Sequence, residues 1–162
     1  MTYVAVVGPG EATPAEEAVA TELGARLADA GCVVLCGGLG GVMAAVARGA
    51  RAEGGVVVGL LPGMSRDGAS PDLTVALATG LGELRNGLLV RSSDAVVAVG
   101  GSWGTLSEVA LAVRTGVPVV AVGGWVVTTA EGSTVPGVQR VVTAAEAVEL
   151  VGRVACPSPQ GS

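Results

Sequence analysis

Residues 95–108 read AVVAVGGSWGTLSE. The first five, Ala95 to Val99, are all apolar, which is typical of a strand buried on both faces of a sheet. Three glycines among the next five residues predict a tight turn. The chain then has helical spacing from Thr105 to Arg114. A buried strand that turns directly into a helix is the repeating unit of α/β folds with a parallel sheet.

The same unit of strand, glycine-rich turn and helix recurs toward the N-terminus. An apolar run from Tyr3 to Val7 ends at Gly8-Pro9-Gly10, and another from Cys32 to Cys36 ends at Gly37 to Gly41. A helix is expected after each turn. Further strands are predicted at 56–61, 75–79, 118–122 and 138–142, further helices at 84–92 and 143–153, and an irregular segment at 124–137.

Together these segments predict a Rossmann-like, doubly wound α/β fold. Its mainly parallel sheet would have six to seven strands, with helices on both faces. No linker divides the chain, so we predict a single nucleotide-binding domain over residues 1–153. The remaining residues, 154–162, end in a run of Pro, Ser, Gln and Gly, and we expect them to form a disordered tail.

The absence of two residue types excludes several classes of enzyme. The sequence has no His and no Lys, and its nine basic residues are all Arg. Four kinds of chemistry are therefore excluded in their usual forms: catalytic triads that use imidazole, zinc sites with His ligands, Schiff bases on Lys, and Walker-type NTP hydrolysis. We expect no cofactor and no metal site. Proton transfer falls mainly to the Asp and Glu side chains.

Charge and cysteine usage bear on partners and compartment. The net charge is −5 and the Arg residues are scattered, which argues against binding a nucleic acid polymer or an anionic membrane. No run reaches the roughly 20 apolar residues that a membrane helix needs. Cys32 and Cys36 share one predicted strand, about 13 Å apart, which is too far for a disulfide. These features favour a reducing, cytoplasmic compartment.

Three glycine-rich turns are expected to meet at one edge of the sheet, because parallel strands end at the same edge. A helix N-terminus there offers free amides and a partial positive charge to a phosphate. Gly100 to Thr105 is the best candidate, because Ser102 and Thr105 add hydroxyl groups, and Gly37 to Gly41 is the second. The alternative is that the glycines only permit tight turns. A dinucleotide site is not expected, because Gly-x-Gly-x-x-Gly is not met.

Two side chains near this edge are candidates for chemistry. Glu108 follows the best phosphate loop, but Thr105 to Glu108 is also a capping-box pattern, so Glu108 is either functional or a helix cap. Arg85 can hold a phosphate or carboxylate in a forked geometry, or it is a surface cation. Trp103 either stacks on a base or packs on the loop.

The sequence resembles the LOG (lonely guy) family of the DprA-LOG superfamily. Cys36 to Met43 is similar to the family's Gly-Gly-Gly-x-x-Gly-Leu-Met segment, Val57 to Pro62 to the strand that follows it, and Arg85 to Glu108 to its Arg-Lys … Pro-Gly-Gly-x-Gly-Thr-x-x-Glu stretch. The resemblance covers about residues 3 to 123. It implies hydrolysis of the N-glycosidic bond of a nucleoside 5′-monophosphate, giving free base and ribose 5-phosphate.

The resemblance also implies roles for individual residues. Arg85 and Glu108 match the family's catalytic Arg and Glu. The remaining expected contacts with the phosphate or nucleotide are Gly8, Gly10, Gly37, Gly38, Gly41, Met43, Asn86, Gly100, Gly101, Ser102, Trp103, Gly104 and Thr105. Contacts with the base are expected in 64–74 and 124–137. By the same resemblance, the protein is expected to be a homodimer or homotetramer.

Four departures from the family's pattern imply an alternative function. Gly100-Gly101-Ser102 replaces the family's Pro-Gly-Gly, and Asn86 replaces the Lys after the Arg. Ser107 replaces the first Glu of a pair, and Gly8-Pro9 replaces the Gly-Ser of the first loop. These features look more like a sister branch that also resembles molybdenum cofactor carrier proteins, which bind a phosphate-bearing pterin without hydrolysing it. The alternative is therefore a non-catalytic carrier or sensor of a nucleotide or a molybdopterin-type phosphate.

Overall fold

The computed structural model describes residues 1–155. This part of the chain contains seven strands and five α-helices, and one 3₁₀ turn (Gly82–Leu84) precedes the third helix. The strands are β1 (Tyr3–Val7), β2 (Val33–Cys36), β3 (Val57–Leu61), β4 (Val75–Ala78), β5 (Ala95–Val99), β6 (Val119–Val122) and β7 (Val138–Val141). The helices are α1 (Pro14–Asp29), α2 (Val42–Ala52), α3 (Arg85–Arg91), α4 (Trp103–Thr115) and α5 (Ala144–Ala155).

The seven strands form one sheet in the order β4-β3-β2-β1-β5-β6-β7, and every neighbouring pair is parallel. The first four strands add outward on one side of β1, and the last three add on the other side. The winding direction therefore reverses between β1 and β5, and a crevice opens there at the carboxyl ends of the strands. The predicted Rossmann-like fold is confirmed.

Helices cover both faces of the sheet, which is why its central strands are apolar throughout. On one face α1, α2 and α5 pack against side chains such as Val4 and Val6 of β1. On the other face α3 and α4 pack against the alternate side chains, Ala5 and Val7. This two-sided burial holds the ends of β1, β2 and β5 in fixed relative positions.

The structure differs from the sequence predictions mainly at the ends of elements. α4 begins at Trp103 with Ser102 as its N-cap, two residues before the predicted start at Thr105. α5 continues to Ala155, two residues past the predicted domain boundary, and the rest of the predicted tail lies outside the described residues. None of the helices within residues 1–155 is long and apolar enough to span a membrane.

Candidate functional site

A cleft of about 160 Å³ lies in the crevice between β1 and β5. Its walls come from the ends of β1 and β2 and from the first turns of α2, α3 and α4. The lining residues are Val6, Val7, Gly8, Gly10, Gly37, Met43, Arg85, Asn86, Ser102, Gly104, Thr105 and Glu108. This set defines the cleft below. Its position is where doubly wound sheets bind ligands.

The N-terminus of α4 forms one wall of the cleft. The Ser102 hydroxyl oxygen accepts a hydrogen bond from the Thr105 amide at 3.2 Å, and the two hydroxyl groups are 2.9 Å apart. The amides of Trp103 and Gly104 belong to the first turn, where no intrahelical acceptor exists. Together with the helix dipole, they form a site suited to an anion.

Glu108 does not cap α4, so the capping-box interpretation is wrong. Since the helix begins at Trp103, Glu108 is its sixth residue, and the amide of Thr105 is bonded to Ser102. The Glu108 side chain is instead buried against α3. Its Oε1 lies 3.8 Å from Nη1 of Arg85, within ion-pair range but beyond hydrogen-bond distance.

Arg85 is the first residue of α3, and it is buried rather than a surface cation. Its Nη1 donates a hydrogen bond to Oδ1 of Asn86 at 2.9 Å. Nε is also buried, and it has no hydrogen-bond partner within residues 1–155. The guanidinium therefore keeps an unused N–H group at the cleft, where a buried donor needs an acceptor.

Gly37 makes room for this guanidinium. A Cβ at residue 37 would come within 2.7 Å of both terminal nitrogens of Arg85, closer than real Cβ contacts allow. It would also collide with the sulfur of Met43. A side chain at position 37 would displace Arg85, so this glycine serves the site as well as the turn after β2.

Burial raises the pKa of Glu108 to about 7, and the nearby Arg85 opposes that shift only in part. At neutral pH the carboxyl group therefore exists in both protonation states, as proton transfer near neutral pH requires. Burial also raises the pKa of Cys36, at the end of β2, to about 11, so this thiol stays neutral. Within residues 1–155, no three His, Cys, Asp or Glu side chains come together as they would around a metal ion.

Ten of the predicted site residues line the cleft, and their ligand-binding role stays a prediction. The other five lie elsewhere: Gly38, Gly41, Gly100, Gly101 and Trp103. Gly41 has a φ of 59°, and a Cβ there would collide with the carbonyl oxygens of Pro9 and Gly10, so it serves the packing of two loops. Trp103 is 79% exposed and lies edge-to-face against Trp125, with ring centroids 5.0 Å apart.

Gly100 and Gly101 border a second cavity, between α4 and strands β5 to β7. We call it the groove, and its main apolar borders are Leu106, Val109, Val113, Trp125, Val135 and Val138. The predicted base-contacting ranges supply no residue to the cleft, although 124–137 supplies one side of the groove. Val6 and Val7 line the cleft but were not predicted to do so, because valines at a strand end carry no functional signal in the sequence.

Comparison with known proteins gives a family and several relatives. Residues 1–151 match the model of the SLOG cluster4 family. The chain is 40% identical over 116 residues to an uncharacterized protein of Archaeoglobus fulgidus, covering 72% of this chain and 76% of that one. It is 35% identical over 95 residues to a probable cytokinin riboside 5′-monophosphate phosphoribohydrolase of Oryza sativa subsp. japonica. That match covers 57% of this chain and 39% of the rice protein.

Two solved structures are similar over nearly the whole chain. The molybdenum cofactor binding protein of the phototrophic bacterium Rippkaea orientalis has a TM-score of 0.85 and 33% sequence identity, covering 94% of this chain and 96% of that one. The molybdenum cofactor carrier protein of Chlamydomonas reinhardtii has a TM-score of 0.82 and 31% identity, covering 95% and 98%. Both similarities extend further along the chain than the similarity to the rice protein.

Proposed function

The chain belongs to the SLOG cluster4 family, and we propose that it is a nucleoside 5′-monophosphate phosphoribohydrolase. The observation that carries the proposal is the buried pair of Arg85 and Glu108 in a cleft that also contains the N-terminus of α4. A buried carboxyl group whose pKa is raised to about 7 is typical of a group that exchanges protons during a reaction. The partial similarity to the rice phosphoribohydrolase supports the same reaction.

The phosphate of the substrate would bind at the start of α4. The first-turn amide of Gly104, with the Ser102 hydroxyl, provides neutral donors there. Arg85 adds a fixed positive charge and an unused N–H group. At about 160 Å³ the cleft is smaller than the usual ligand site of roughly 300–1,000 Å³. It therefore suits the ribose phosphate, with the base projecting from its mouth.

Glu108 would act at the anomeric carbon. As the C1′–N bond breaks, its electron pair leaves with the base and positive charge develops on the ribose ring. The Glu108 carboxylate stabilises that charge and accepts a proton from the water that attacks C1′. Transfer of that proton to the departing base gives the neutral base and restores the carboxylate. Because the carboxylate is the active form, we expect kcat/KM to rise as the pH increases through about 7.

The test is to incubate the protein with AMP, CMP, GMP, UMP and a prenylated AMP, and to assay ribose 5-phosphate. We expect turnover of at least one nucleotide and its loss in Glu108→Gln. Glu53→Gln is the matched control, because Glu53 is exposed at the end of α2, away from the cleft. The proposal fails if no nucleotide is cleaved, or if Glu108→Gln cleaves as fast as the wild type.

A second candidate function is the binding of a molybdopterin-type phosphate as cargo, without cleavage. The observation that favours it is the similarity to the R. orientalis and C. reinhardtii proteins over at least 94% of this chain. The test is calorimetric titration with molybdenum cofactor and with AMP, each followed by product analysis. Saturable binding of the cofactor with no ribose 5-phosphate from any nucleotide would favour the carrier. Absence of cofactor binding would exclude it.

A further inference from the structure

The groove lies beside a crossover of the sheet that has no helix, the connection from β6 to β7. The chain passes from β6 to β7 through residues 123–137, which contain one isolated antiparallel bridge, Thr128 to Thr134, and no helix. Beyond α4, the outer part of this face, toward β7, is therefore left without a helix of its own. A cavity of about 350 Å³ remains there, within the usual range for ligand sites.

The walls of the groove are mostly apolar and partly exposed to solvent. Leu106, Val109 and Val113 line it from α4. Across from them, Trp125 is 43% exposed and Val135 is 41% exposed, both from the loop between β6 and β7. Contiguous exposed apolar surface of this kind marks a site of interaction more often than isolated apolar residues do.

The charges that border the groove are all positive. Arg114 and Arg140 line it, and no Asp or Glu does. Arg114 forms no ion pair with any residue in the range 1–155. Arg140 donates hydrogen bonds to the carbonyl oxygens of Gly123 and Trp125, which leaves part of its guanidinium free. In a chain of net charge −5, an apolar groove with two arginines and no acid favours an anionic ligand.

We propose that the groove binds a small amphipathic carboxylate, with an apolar body of about ten carbons in the groove and its carboxylate on Arg114. The apolar body fits between α4 and Trp125, and the carboxylate provides the acceptor that Arg114 lacks. This site is distinct from the cleft, with which it shares only Ser102 and Thr105 among its lining residues. The proposal therefore does not depend on the nucleotide chemistry proposed above.

The test uses tryptophan fluorescence, because the chain has two Trp residues and both lie at this side of the molecule. The protein is titrated with decanoate, and with decanol and protonated decylamine as neutral and cationic probes of equal chain length. We expect a saturable change with decanoate and weaker binding of the other two. Arg114→Gln should weaken decanoate binding about tenfold. Arg91→Gln is the control, because Arg91 is an exposed arginine at the end of α3 and should leave the affinity unchanged.

A second variant tests the apolar part of the site independently of charge. Val109→Phe fills the groove and should abolish decanoate binding in calorimetry while the thermal melt stays cooperative. Equal affinity for all three probes, an unchanged affinity in Arg114→Gln, or no saturable binding would each overturn the proposal. So would a stable oligomer by light scattering that dissociates in Val127→Asp, because Val127 is an exposed lining residue of the groove and a second copy of the chain would then occupy it.

Discussion

α4 borders two cavities, the cleft on its Glu108 side and the groove on its Val109 side. The cleft is small, and its floor holds a buried Arg–Glu pair among glycine turns. The groove is about twice as large and mainly apolar, with two arginines at its border. The larger cavity offers binding surface, whereas only the smaller one places a carboxyl group of raised pKa beside a cation. Volume and capacity for acid–base chemistry are therefore separate properties in this molecule.

Replacing one arginine of each cavity, Arg85 in the cleft and Arg114 in the groove, should distinguish the functions of the two cavities most clearly. Arg85→Met removes the buried cation of the cleft, and we expect kcat/KM to fall about 100-fold or more, as for the loss of one preorganised charge-stabilising group. Without Arg85 the pKa of Glu108 should rise further, since that cation now lowers it. Arg114→Met is the matched change at the groove and should leave nucleotide turnover within twofold. Equal losses in both variants would mean that the cleft is not the reactive site.

The pH dependence of stability provides a second comparison. The pKa of Glu108 is raised from 4.5 to about 7 in the folded chain, so the folded state holds a proton that the unfolded state loses between these values. Wild-type stability should therefore fall as the pH rises from about 4.5 to about 7. Glu108→Gln lacks this titration, and at pH 8 it should be more stable than the wild type by up to about 3 kcal/mol.

Urea unfolding at pH 5 and pH 8 measures this difference. Glu53→Gln should follow the wild-type curve at both values, because its side chain is exposed. A Glu108→Gln variant that is less stable than the wild type at pH 8 would contradict the burial of an ionisable carboxyl group.

Two Gly→Ala changes test how closely the cleft is packed. Gly37→Ala forces a methyl group against the ends of the Arg85 and Met43 side chains, and we expect reduced turnover with a loss of only about 1 kcal/mol or less in unfolding free energy. Gly152→Ala is the control within α5, where a Cβ has no neighbour within 4 Å. It should stabilise the chain by up to about 1 kcal/mol, because Ala favours a helix. Retention of full activity in Gly37→Ala would show that Arg85 can move without consequence.

The smallest effect is expected at the loop that borders the groove. Arg140→Gln loses two hydrogen bonds to the carbonyl oxygens of Gly123 and Trp125, each worth about 1 kcal/mol net or less at this exposed position. We expect faster proteolytic cleavage within 124–137 and nucleotide turnover within twofold of the wild type. A large loss of turnover would indicate that the loop reaches into the chemistry of the cleft.

Sequence reasoning predicted the existence and type of every strand and α-helix that the structure describes, with ends that differ by about two residues. It also placed Arg85 and Glu108 near the same edge. The role of Glu108 was not predictable, because Ser102 and Thr105 are both plausible N-caps and the capping-box pattern favours Thr105. In the structure the N-cap is Ser102, so the Glu108 carboxyl group is free to face Arg85.

The alternation of apolar runs with glycine turns and helical spacing determined the fold, because these are properties of neighbouring residues and of backbone conformation. The absence of His and Lys likewise limited the available chemistry without reference to any structure. Only the tertiary structure determined which ionisable side chains are buried away from solvent. The pKa of Glu108 depends on burial among segments that are far apart in the chain, including Gly37 and Arg85. The groove, too, depends on a covering helix that the β6–β7 connection does not supply, and it becomes evident only when the sheet is assembled.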